Sequence, residues 1–162
     1  MQQPHEHSLD RTQPRQWFAS FTHTDLPSSL RHLASFFALA TRVYVSWVFL
    51  KSGWLKVTSW ESTIALFEYE YRVPALPPIV AAVLGTLGEI VFPLLLIVGF
   101  FGRLSALGLF AVNVLAVLSY AHVLLQPGFE AAVAQHYLWG FMLLMLAIYG
   151  PGKLSADGYL NG

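Results

Sequence analysis

Four long apolar runs alternate with polar stretches along the chain. The first reads LASFFALATRVYVSWVFL over residues 33–50, close to the roughly twenty apolar residues a helix needs to cross hydrocarbon. Pro74, Pro77 and Pro78 then break the pattern. A second run covers 79–100 and a third 104–125, joined by the tight link 99–103. Gln126, Pro127 and Gly128 end the third run, as turn residues do. The fourth extends from Tyr137 to Tyr149 before Pro151 and Gly152. It is short, so the helix is taken back to Ala131, giving a span over 131–150. The pattern predicts an all-α, four-transmembrane-helix bundle over 33–152, after a polar and interfacial segment (1–32) and before a tail (153–162).

Four spans place both termini on one side. Short loops rich in Lys and Arg stay in the cytoplasm. Arg11, Arg15, Arg31, Arg103 and Lys153 lie on the terminal side, against Lys51, Lys56 and Arg72 opposite, so both termini are expected in the cytoplasm. Trp47, Trp54, Trp60, Trp139, Tyr120 and Tyr149 fall near span ends, where amphipathic rings anchor at headgroups. Trp17, Phe18 and Phe21 suggest an interfacial stretch before the first span. Between spans one and two, WESTIALFEYEYRVPALPP places Ile64, Phe67 and Tyr71 at helical spacing. It is read as a partly helical outer loop lying over the bundle's outer ends, in preference to a re-entrant segment.

Composition agrees with a membrane domain: 56% of residues are hydrophobic, 11% are charged and the net charge is zero. No basic face is offered to nucleic acid. The absence of cysteine removes disulfides, thiolate nucleophiles, thiolate metal sites and c-type haem attachment. Redox chemistry would therefore need a bound cofactor or a partner, with none covalently attached.

Against this apolar background, Arg42 and Glu89 fall inside the first and second spans, where a lone charge costs at least a few kcal/mol. Counted from opposite ends they reach similar depth, and an Arg42–Glu89 pair is expected. Ala81, Gly85 and Gly88 would let a neighbouring helix approach. Arg42, Ser46, Phe49, Gly53 and Lys56 form one stripe leading outward from the buried charge. Asn113 and Tyr120 share a face of the third span. His122 and His136 flank the loop between spans three and four, but without metal-ligand spacing, so no metal is assigned. His5, Glu6 and His7 near the amino terminus carry less weight. The charged pair is either a clasp fixing the bundle or part of a ligand or proton site; both readings stand on the sequence.

Arg42 with Phe49, Ser52-Gly53 and Lys56, the glutamate at Glu89, and the Gly-Phe-Phe-Gly-Arg turn at 99–103 together resemble the DoxX family of small four-span membrane proteins. The resemblance covers about 42–153. It implies association with membrane oxidoreductase assemblies, including thiosulfate:quinone oxidoreductase complexes and those of sulfur metabolism or oxidative stress. One branch, similar through a loop like Phe67 to Tyr71 here, accompanies clusters making modified copper-binding peptides. The expected function is an accessory subunit of an oxidoreductase system in the bacterial inner membrane. It would hold a quinone or lipid-like ligand among Arg42, Ser46, Glu89, Asn113 and Tyr120, with Lys56, His122, His136 and Trp139 at the outer mouth. The alternative is a membrane scaffold, chaperone or transport accessory whose loop charges Glu61, Glu68, Glu70 and Arg72 meet a protein partner. Homo-oligomerisation stays open.

Overall fold

A computed structural model describes residues 28–160, of which those from Leu33 onward form one compact unit. The readings for His5, Glu6, His7, Trp17, Phe18 and Phe21 lie outside the described residues. The described chain is all-helical: α1 (Ser28–Thr58), α2 (Trp60–Ala65), a π-helical turn (Leu66–Glu70), α3 (Pro78–Val98), α4 (Gly102–Ser119), α5 (Ala121–Leu124), α6 (Glu130–Tyr149) and α7 (Ala156–Leu160). Four helices are long and apolar enough to cross a membrane: His32–Thr58 within α1, then α3, α4 and α6. Their outward leucines, valines and aromatics remain exposed, as a lipid-facing belt should.

Local sequence accounts for the helix ends. Pro78 opens α3 where its missing N–H is not needed. Gly99, at φ 72°, closes α3 in the left-handed region, where a Cβ would also collide with the Arg42 guanidinium and Ser155. The first helix outruns its predicted end at 50 by eight residues, and its added turns carry Lys56 to a partner inside the bundle, as described below. The third span ends at Ser119, and residues 121–124 form the separate turn α5.

The core draws on all four spans, through Val45, Phe49, Leu96, Ala106, Leu109, Leu143 and Leu146. Small residues set the helix approaches. A Cβ on Gly53 would lie 2.9 Å from Ile90 and 3.1 Å from the Glu89 carbonyl oxygen, and one on Gly88 would lie 2.7 Å from Val112. Gly53 therefore brings α1 onto α3, while Gly88 brings α3 onto α4. This fixes the register: Gly53 lies at the level of Glu89, and Arg42, eleven residues earlier, lies about 16 Å further toward the terminal end.

The segment between α1 and α3 packs differently from the expected cap over the bundle. Buried Phe67 sits against Ala81 and Ala82, and its ring edge meets Gly85. It therefore packs along the first two turns of α3 rather than across their end. Tyr71 N–H donates to the Leu66 carbonyl at 2.8 Å, and Arg72 N–H to the Ser119 carbonyl at 2.9 Å. The segment is thus tied both to itself and to the end of α4.

Candidate functional site

The polar centre of the bundle is an ion pair between Lys56 and Glu89. Lys56 Nζ lies 2.8 Å from Glu89 Oε1 and 2.6 Å from Oε2, and donates to Ser52 Oγ at 2.8 Å. Both side chains are about nine-tenths buried. Each helix supplies one charge at the point where Gly53 lets the backbones close. Pro93, which has no N–H, stands four residues after Glu89 in α3, so the Glu89 carbonyl lacks its usual intrahelical donor on the face that meets Gly53. Thr63 Oγ1 donates to the Lys56 carbonyl at 2.9 Å and ties α2 to the end of α1. In a low-dielectric interior each charge is tolerable because the other is present.

Beside this pair is a cavity of about 330 Å³ lined by Val48, Phe49, Ser52, Lys56, Tyr71, Glu89, Ala116, Tyr120, Leu124, His136 and Trp139. Its aromatic walls interlock. Phe49 and Trp139 are edge to face at 5.9 Å, His136 and Trp139 at 5.0 Å, and Tyr71 and Tyr120 lie 5.2 Å apart. The Trp139 indole Nε1 is buried with no hydrogen-bond partner, an unsatisfied donor that normally costs free energy. Asn113 stands behind the wall and orients His136: its Oδ1 lies 2.8 Å from His136 Nδ1, and its Nδ2 donates to the His136 carbonyl at 3.0 Å. Burial, then the Glu89 charge, then Tyr120 push the Tyr71 hydroxyl up to about 12, so it remains a neutral donor at physiological pH. The three N–H groups of Lys56 are taken by Ser52 and the two Glu89 oxygens, which leaves the Tyr71 and Tyr120 hydroxyls as donors in the cavity wall.

The family model for DoxX matches residues 37–122, just over half of the chain. The chain belongs to the DoxX family. Family membership and four apolar helices together make it a multi-pass membrane protein. No curated protein and no solved structure matches the chain. The matched stretch of this DoxX protein supplies Lys56, Tyr71, Glu89 and Tyr120, whereas His136 and Trp139 come from α6, beyond the match.

Arg42 does not pair with Glu89, contrary to the sequence expectation. It is fully buried at the terminal end of the bundle, where Nη1 donates to the Leu96 carbonyl at 3.5 Å and Nη2 to the Leu154 carbonyl. Asp157 acts electrostatically on it. The Asp157 carboxylate in turn accepts from Phe101 N–H at 3.0 Å and Gly102 N–H at 2.7 Å at the start of α4, where an anion complements the helix dipole. The expectation failed because depth was counted from residue 33 to an end at 50; with α1 reaching Thr58, the residue level with Glu89 is Gly53.

The stripe itself is correct. Arg42, Ser46, Phe49, Gly53 and Lys56 are all buried on one face of the DoxX protein's first helix, but its two charged ends serve different places. Ser46, with a buried hydroxyl lacking a partner, lies outside the cavity lining, as does Asn113. Glu89 and Tyr120 line it, and Lys56, His136 and Trp139, assigned to an outer mouth, stand in its wall instead. His122 is exposed, its ring edge-on to Tyr120 at 5.7 Å. Glu61, Glu68, Glu70 and Arg72 are exposed on the inter-span segment. Among the described residues no three His, Asp or Glu side chains could hold a metal together. Sequence reasoning missed Tyr71 and Ser52 as wall residues, although Ser52 lies one turn before Lys56 and Tyr71 closes an aromatic run. Asp157 carried no such signal, because its role depends on a helix start 55 residues away.

Proposed function

We propose that this DoxX protein is an accessory subunit of a membrane oxidoreductase system in the bacterial inner membrane, with both termini cytoplasmic, holding a quinone head group in the cavity beside Lys56 and Glu89. The observation that carries this reading is the wall in which Phe49, Tyr71, Tyr120 and Trp139 stand together beside the ion pair. Quinone carbonyls only accept hydrogen bonds, which matches the Tyr71 and Tyr120 hydroxyls, and Phe49 and Trp139 offer ring surfaces for stacking. The volume suits a head group or another small ligand. The residues bind and orient; electrons would come from a partner protein.

Quinone content in preparations purified from native membranes tests this. Near-stoichiometric quinone in the wild type, and its loss in a folded Trp139→Phe variant, is the expected result. Quinone-free protein retaining a stable protein partner would favour the second reading, a scaffold or transport accessory for a stress, metal or modified-peptide pathway. That reading draws on one feature: Tyr69, 78% exposed, stands between exposed Glu68 and Glu70 as a ready contact surface.

A further inference from the structure

The Lys56–Glu89 pair has space on both of its sides. A second cavity of about 460 Å³ is lined by Ser52, Leu55, Lys56, Ser59, Ser62, Thr63, Leu66 and Tyr71. It shares Ser52, Lys56 and Tyr71 with the aromatic cavity. Its outer wall includes exposed Leu55, Ser59 and Ser62, whereas Lys56 and Thr63 are buried at its inner end. The two cavities differ in chemistry. The inner one carries five aromatic rings, from Phe49, Tyr71, Tyr120, His136 and Trp139; the second carries five hydroxyls, from Ser52, Ser59, Ser62, Thr63 and Tyr71, leading from the surface to the ammonium group.

We propose that this second cavity is an aqueous vestibule, and that the Lys56–Glu89 pair with Tyr71 forms the barrier between its water and the inner cavity. The occupant is water with the protons it carries, since no second charged side chain lines the vestibule to hold a larger ion. A hydroxyl-lined cavity of this size has the polar partners that ordered water requires. Hydration at its outer side also lowers the cost of keeping Lys56 charged inside a membrane protein. The titratable groups around the inner cavity are Lys56, Glu89, Tyr71, Tyr120 and His136; of these only Lys56 and Tyr71 also face the vestibule. A proton moving between that water and the inner cavity would therefore pass by Lys56, Tyr71 or the Ser52 hydroxyl, the side chains common to both cavities. The proposal stands on the two cavities and the pair, whatever ligand the inner cavity takes.

The absence of cysteine makes single-cysteine variants clean reporters. The probe is a charged, membrane-impermeant methanethiosulfonate applied to the full-length protein in sealed vesicles of each orientation. A thiol reacts through its thiolate, which needs water. We expect Ser52→Cys to react at least about tenfold faster than lipid-facing Leu94→Cys, and from the same side as Ser62→Cys. We expect Ala116→Cys, in the inner cavity, to react at least about tenfold slower than Ser52→Cys. A Ser52→Cys rate no higher than that of Leu94→Cys would overturn the vestibule. An Ala116→Cys rate equal to that of Ser52→Cys would overturn the barrier. If Ser52→Cys fails to assemble, Leu66→Cys on the opposite wall carries the same expectation.

Discussion

At the scale of single residues, the two buried cations among the described residues, Arg42 and Lys56, are compensated by different means. Lys56 meets a carboxylate, whereas Arg42 meets backbone carbonyls near helix and tail ends, with Asp157 close by. The difference is measurable. Removing one member of the Lys56–Glu89 pair leaves a buried charge, so Lys56→Met or Glu89→Gln alone should cost about 3–5 kcal/mol, while the double variant should recover most of that loss. Unfolding in mild detergent checks this, and additive losses would contradict it. Tyr71 gives a pH signature. Its hydroxyl titrates near 12 in the fold against about 10 in an unfolded chain. The stability tied to the neutral phenol is complete below pH ~10 and is lost as pH rises toward 12. A pH series should show this alkaline loss in the wild type and a shallower one in Tyr71→Phe.

Helices and segments differ in how much of their placement was readable. Four apolar runs and the proline and glycine breaks reveal four spans, because bilayer thickness sets the length of each run. Where α1 ends was not readable. A lysine in the last turns of a span looks like a solvated loop residue until its partner is known, and here the partner is on another helix. The same missing contact assigned Glu89 to Arg42. Gly53 is the residue that sets the true register. Gly53→Leu should force α1 from α3, break the Lys56–Glu89 contact and lower stability by about 1–3 kcal/mol or more, whereas Gly128→Ala, in open space though at positive φ, should leave the pair intact. The inter-span segment makes a parallel case. Its helical spacing was visible, but its descent along α3 depends on Ala81 and Gly85, whose smallness was read as a seat for a helix. Phe67→Ala should cost about 3–5 kcal/mol, far more than truncating exposed Tyr69, as thermal unfolding of the two variants would show.

For the whole molecule, the bundle keeps the Lys56–Glu89 pair and its aromatic cavity at one end and the buried Arg42 at the other. The terminal end is closed by Arg42, Gly99 and Asp157, which join α1, α3, α4 and the tail. Toward the inter-span segment the packing opens around Lys56, Glu89 and the aromatic wall from α6. The sequence located most of these residues but paired Glu89 with Arg42 in place of Lys56, since a stripe on one helix does not reveal which neighbours meet its two ends. If the cavity is the ligand site, Arg42 is a fold residue and Trp139 a binding residue. The direct measurement is thermal stabilisation of purified protein by a short-tailed quinone analogue, comparing wild type, Trp139→Phe and Arg42→Lys. Binding at a hundred times Kd adds about 2.7 kcal/mol to the folded state. A clear upward shift in Tm for wild type and Arg42→Lys, lost in folded Trp139→Phe, is the predicted result; no shift in wild type, or an equal shift in Trp139→Phe, would contradict it.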